Sequence, residues 1–262
     1  MIVSLLAPGC QKQEGDLSKQ EDVQDKATTL IERGQNDEAI RLMIEELKKN
    51  PVSDRSRQIL ASAYANRAGI RVENYYGFAV TYNSLIKGPE DFSKKNSAEE
   101  NVDISEIFPA LPDQAKNALR QLAPNLAIIQ KIRGRLIQVP LVNAEQSKDL
   151  LLAVEVLRPT TSPGAHVYRA ILDLIVLRSH FDRNIQLIGL AASEDGCQRN
   201  LDIAMRSLQS SFGLLQQFLD DLAQAYPSSA ANLLGTQQQL ESILNEMPSQ
   251  AQKTRLLLCH GS

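Results

Sequence analysis

The chain has 262 residues, with 28 Lys+Arg against 31 Asp+Glu, 13 Gly, 11 Pro, six Tyr, six Phe and no Trp. A chain of this length buries a sizeable core in one or two domains, and its Leu- and Ala-rich composition with few turn residues excludes an all-β protein and low-complexity disorder. The formal charge of −3 leaves no basic excess to neutralise phosphates, so nucleic acid is not an expected partner.

Residues 1–10 are apolar and uncharged up to Cys10, after which the chain turns polar at once. This stretch resembles the end of a bacterial lipoprotein signal. Pro8 stands where that family prefers Ala or Ser, and the apolar run is short, with no Lys or Arg ahead of it. The resemblance implies lipidation of Cys10, a polar tether through residue 16, and a place in the bacterial cell envelope on the periplasmic side of a membrane. No other segment reaches the roughly 18–20 apolar residues a bilayer span needs, so the membrane would be met through the lipid alone.

Apolar residues at Leu17, Val23, Ala27, Leu30 and Ile31 predict a helix closed by Arg33-Gly34. Asn36 is the expected N-cap of a second helix with Ala39, Ile40, Met43, Ile44 and Leu47 on one stripe, acidic at its start, basic at Lys48-Lys49 and ended by Pro51. A third helix is expected over about 54–68, burying Ile59, Leu60, Ala63 and Tyr64. The stretch from Gly34 through Ala39-Ile40 to Asn50-Pro51 resembles the second half of a tetratricopeptide repeat, a 34-residue helical hairpin with Gly in the turn, Ala in the second helix and Pro after it. A repeat started at Gln20 puts Ala27 and Leu30 at the small and large packing positions; the next, started at Asp54, does the same for Leu60, Ala61 and Tyr64. The register holds for one and a half repeats and fails at residues 70–82. The resemblance implies a concave surface built by the first helix of each hairpin, with Gln24, Thr28 and Ile31 from one and Gln58, Ser62 and Asn66 from the other. Peptide-carboxylate clamps of that family need Lys or Arg there, and only Arg55 qualifies.

Tyr75, Phe78 and Tyr82 would share one face of a helix over 74–86, as core or as a ligand-contacting patch. Residues 87–112 read as an irregular linker whose second half docks through a short helix near Ile104 and Ile107. From residue 113 to 262 the pattern is a larger helical domain. A helix begins at Asp113, and Asn143-Ala-Glu-Gln146 starts another over about 148–157. Residues 160–164 form a loop, a nearly all-apolar helix spans 165 to about 187, and a long helix runs from about 199 to 225. Ser228 caps a helix through about 244, and after Pro248 a short apolar helix closes the chain. The domain reading is therefore 1–16 anchor and tether, 17–86 hairpins, 87–112 linker and 113–262 helical domain, all-α throughout.

Chemistry is sparse. His166 and His180 lie on one expected helix, roughly 21 Å apart at about 1.5 Å per residue, too far to share a ligand. His260 is near the terminus. Asp220-Asp221 and Glu45-Glu46 are adjacent and point about 100° apart on a helix, so they make no acid–base pair. Gly-x-Ser-x-Gly and phosphate-loop patterns are absent, no zinc spacing occurs, and no catalytic residue, metal or cofactor is assigned. Cys197 and Cys259 either pair as a disulfide or remain free thiols. The expected function is a non-catalytic scaffold or adaptor in the cell envelope that binds a protein partner. The alternative is an accessory small-molecule-binding lipoprotein of a tripartite uptake transporter, with a ligand channel between helices.

Overall fold

Two glycines set the turns of the N-terminal helices. The computed structural model describes residues 13–75, 104–107, 113–119, 134, 136–193 and 197–259. Helix α1 (Gln13–Glu32) stops where Gly34 takes φ 76°, a left-handed backbone that only glycine adopts without strain. The Gly34 N–H donates to the Ile31 carbonyl at 2.9 Å and the Gln35 N–H to the Leu30 carbonyl at 2.8 Å, the paired bonds of a Schellman turn. Helix α2 (Asn36–Lys49) follows at once. Asn36, expected as its cap, is instead its first residue, and the cap position falls to Gln35, which makes no side-chain cap bond. The reason is the turn itself: Gln35 is already committed to closing α1, so no spare residue separates the two helices. Ser53 caps α3 (Asp54–Arg67) by accepting from the Ser56 N–H at 3.3 Å. Gly69 (φ 78°) then repeats the turn, with Gly69 donating to Asn66 and Ile70 to Ala65, both at 2.9 Å.

These three helices pack through small and flexible side chains. Ala27, Ala39, Ile40, Met43, Leu60 and Ala63 form the buried cluster, and α3 touches both α1 and α2. The alanines let the backbones approach closely, while Met43, fully buried, fills the irregular space between them. After Ile70 comes a 3₁₀ turn at Val72–Tyr75 in place of the start of the expected helix over 74–86, most of which lies outside the described residues.

Short helices α4 (Ile104–Ile107) and α5 (Asp113–Leu119) are followed by a turn at residues 136–139. Arg178 holds that turn, donating Nη1 to the carbonyls of Leu136 (2.7 Å), Ile137 (2.5 Å) and Val139. Helix α6 (Ala144–Leu157) opens with a reciprocal cap: the Gln146 N–H donates to Asn143 Oδ1 and the Asn143 N–H to Gln146 Oε1, each at 2.9 Å. Residues 160–164, read as a loop, are only partly one. Ser162 accepts from the Ala165 N–H at 3.3 Å and Pro163 is the first residue of α7 (Pro163–Ser193), a position where its missing N–H costs nothing. Every residue from 165 to 177 is buried, so this stretch of the helix is enclosed on all sides.

Helix α8 (Cys197–Ala225) runs antiparallel to α7. Phe181 meets Phe212 edge to face with centroids 6.2 Å apart, and Asn184 Nδ2 donates to Ser211 Oγ at 2.9 Å. A 3₁₀ turn at Pro227–Ser229 leads into α9 (Ala230–Cys259), which packs on α8 and α5. Pro248 does not divide α9 as expected; the helix continues through it, and the nearby Ser249 hydroxyl donates to the Glu246 carbonyl at 2.9 Å. Good helix formers on both sides carry the segment past a residue that costs about 3 kcal/mol in a helix interior.

The described residues form two compact units, one from those up to Arg71 together with Lys148–Thr160, the other from those between Val72 and Ser147 together with those from Thr161 onward. Residues 148–160, read above with the C-terminal helices, thus group with the hairpin unit. The described residues are mostly helical and contain no strand, so the chain is all-α over them. None of their helices is long and apolar enough to cross a membrane.

Candidate functional site

The surface expected for a partner lies on α1 and α3. The structure splits its residues into two kinds. Gln24 is buried, and its amide Nε2 donates to Ser56 Oγ at 3.0 Å and Ser53 Oγ at 3.4 Å. It therefore fastens α1 to the cap of α3 and is not a groove residue. Ile31 is half-buried against the apolar cluster. Thr28 is exposed and donates its hydroxyl to the Gln24 carbonyl at 3.0 Å. Gln58, Ser62 and Asn66 are half-buried along α3, with Asn66 Nδ2 donating to the Ser62 carbonyl at 3.0 Å. Arg55 is exposed and lies 3.4 Å from Asp25, a loose pair in high dielectric that leaves its cation open to exchange partners. What remains on the surface is Thr28, Arg55, Gln58, Ser62 and Asn66: short hydroxyls and amides beside one cation.

The second unit holds a buried polar cluster. Asp221 on α8 takes Arg169 Nη2 at 2.6 Å and Arg169 Nε at 3.1 Å on each carboxylate oxygen. His166 Nδ1 lies 2.7 Å from Asp221 Oδ1 and 2.5 Å from Arg169 Nη2. With a proton on Nδ1 the ring donates to the carboxylate; without one it accepts from the guanidinium. All three residues are buried, at 4%, 6% and 7% exposure for His166, Arg169 and Asp221. The carboxylate sits against the first turns of α7, where the helix dipole favours a negative charge. Arg169 already neutralises it, so the cluster fastens the start of α7 to the end of α8 and is assigned no reaction. Pairs 52 and 55 residues apart are invisible to local spacing. The one local signal is His166 and Arg169, polar residues three apart in the buried and mostly apolar first turns of α7.

His180 is half-buried, and its Nδ1 has no hydrogen-bond partner among the described residues. Burial, and then the Arg183 cation, hold its pKa below the usual 6.5. Tyr75 falls in the 3₁₀ turn, while Phe78, Tyr82 and Cys10 lie outside the described residues. Cys197 and Cys259 stand at the first residue of α8 and the last of α9, and their side chains lie outside the described ones. Among the described residues no group of three or more His, Cys, Asp or Glu is placed to hold a metal ion.

No protein-family model matches the chain, and neither a curated protein nor a solved structure is detectably similar to it.

Proposed function

We propose that the chain is a non-catalytic scaffold of the bacterial cell envelope, tethered through a lipid on Cys10 and binding a protein partner on a tetratricopeptide-like surface of α1 and α3. The observation that carries this reading is the packing of α1, α2 and α3. Ala27, Ala39 and Ala61 are fully buried at positions where the repeat places small residues, Met43 is buried among the helices, and Gly34 makes the turn between the paired helices. An arrangement of this kind leaves the outer faces of the first helices free, and Thr28, Arg55, Gln58, Ser62 and Asn66 on those faces offer donors and acceptors suited to an extended peptide backbone.

The test is photo-crosslinking of the full chain in cells, from a probe at Ser62, followed by mass spectrometry. One partner is expected, with its yield falling at least about tenfold in Gln58→Glu and in Asn66→Ala, as for loss of a hydrogen bond at a desolvated contact. Equal yields from the parent and both variants would remove the groove. The anchor is tested apart: Cys10→Ala is expected to shift the protein from the membrane pellet to the soluble fraction, and an unchanged distribution excludes the lipid.

A further inference from the structure

Two arginines on α3 each reach α6: Arg67 also touches α2, and Arg57 the turn just after α2. Arg67, at the end of α3, donates Nη1 to Asp37 at the start of α2 (2.7 Å) and grips Asp149, in the first half of α6, through Nε at 2.9 Å and Nη2 at 2.6 Å. Arg57, in the first turn of α3, donates Nη2 to the Pro51 carbonyl just beyond α2 at 2.6 Å and Nη1 to the Val156 carbonyl near the end of α6 at 3.2 Å. The beginnings of α2 and α6 therefore both flank the end of α3, and their ends both flank its beginning. Helix α6 runs antiparallel to α3 and parallel to α2. The Val156 side chain completes the arrangement by packing on the cluster that contains Ala39, Met43 and Leu60.

That is where the second helix of a second hairpin would stand. Among the described residues directly after α3, the Gly69 turn leads into the 3₁₀ segment Val72–Tyr75 and not into a helix that returns along α3. We propose that residues 148–157 are the second hairpin's second helix, delivered from downstream in the sequence and locked by Arg67, so that the second hairpin is completed in cis by a distant segment of the chain. Calling α6 a repeat helix rests on the tetratricopeptide-like reading above; the clamp does not.

Arg67 is suited to the lock in a way lysine is not. Its planar fork meets both Asp149 oxygens at once, leaves Nη1 for Asp37, and lies over the Tyr64 ring at 5.2 Å. These contacts hold the guanidinium charged, with its pKa raised by Asp149 first and Asp37 second.

Amide hydrogen exchange on the full chain tests the lock. Arg67→Ala, Arg67→Lys and Asp149→Ala are each expected to speed exchange in α6 by about tenfold, as for loss of a charge-assisted bidentate pair, with Arg67→Ala plus Asp149→Ala no faster than the faster single variant. Asp37→Ala is expected to leave α6 within about twofold of the parent, because it touches only the α2 arm. Unchanged α6 exchange in the single variants, or effects that multiply in the double variant, would overturn the proposal. The readout does not involve partner capture, so a failed crosslink at Ser62 removes the repeat reading and leaves the clamp standing, while a failed cycle removes the clamp alone.

Discussion

The hairpin unit keeps its ion pairs toward the surface, whereas α7 and α8 enclose theirs. Around the Ala27–Met43–Leu60 cluster the interior is apolar apart from the Gln24, Ser56 and Glu46 side chains, and the ion pairs Arg55–Asp25 and Arg67–Asp37 are open to water. Between α7 and α8, Arg169, Asp221 and His166 are all at least nine-tenths buried, and Asp173 is fully so. The hairpins are thus specified by turn geometry and volume, and the helix pair by electrostatic matching that water cannot replace. Local rules account for the turns and the apolar stripe of the first; the buried charges of the second stand or fall on partners distant in sequence.

The largest effect that would test this contrast is Asp221→Ala. It takes away the carboxylate shared by a buried guanidinium and imidazole, so a loss of about 3–5 kcal/mol is expected from urea unfolding followed at α7 and α8 amides. A loss below about 1 kcal/mol would mean that the cluster behaves like a surface pair, and the distinction between the two regions would collapse. Next is Met43→Ala, expected to cost about 3 kcal/mol through lost burial and the cavity left among alanines that cannot collapse far. A cost under about 1 kcal/mol would show a hairpin core loose enough to refill the space. Gly34→Ala should cost less, about 1–2 kcal/mol, and purely through the backbone: a Cβ there meets nothing within 4 Å, yet φ 76° is strained for any L side chain. Thermal melting of Gly34→Ala beside Gly34→Asn checks that origin, since Asn tolerates the left-handed region and should recover part of the loss.

Elements with local causes were legible. Gly34, the acidic and basic ends of α2, Pro51 and the Asn143–Gln146 cap each act within four residues, and each sits where the pattern put it. Two punctuation marks were misread. Ser162-Pro163-Gly164 has loop composition, yet Ser at the cap and Pro at the first position are also how a helix begins, and α7 starts there. Pro248 reads as a stop, but a 30-residue helix outlasts one lost bond. Of the candidate surface, Gln24 was misplaced because a hydroxyl pair, Ser53 and Ser56, awaits its amide on α3 and draws it inward. The clamp of Arg67 and the grip of Arg169 were not legible at all. They join residues 82 and 52 apart, and a charge on a helix carries no mark of which distant acid it will meet.

The smallest expected effect concerns His180, and it sharpens the contrast by asking whether a half-buried charge in the α7–α8 unit behaves like the buried cluster or like the hairpin surface. Burial and Arg183 lower its pKa in the folded chain below the 6.5 of the unfolded one. Below pH 6.5 the unfolded chain therefore binds the proton more readily than the folded one, and protonation favours unfolding. Stability contributed by the neutral ring is present above pH 6.5 and is lost as the pH falls through 6.5 toward the folded value. Because the ring is only half-buried, water screens part of the penalty, and the step should be smaller than that of Gly34→Ala. Melting temperatures of the parent and His180→Gln between pH 5 and pH 7.5 isolate it: the parent should lose more than the variant over the acidic half of that range. Parallel curves would show that His180 titrates alike in both states, and that α7 excludes water from its first turns but not from residue 180.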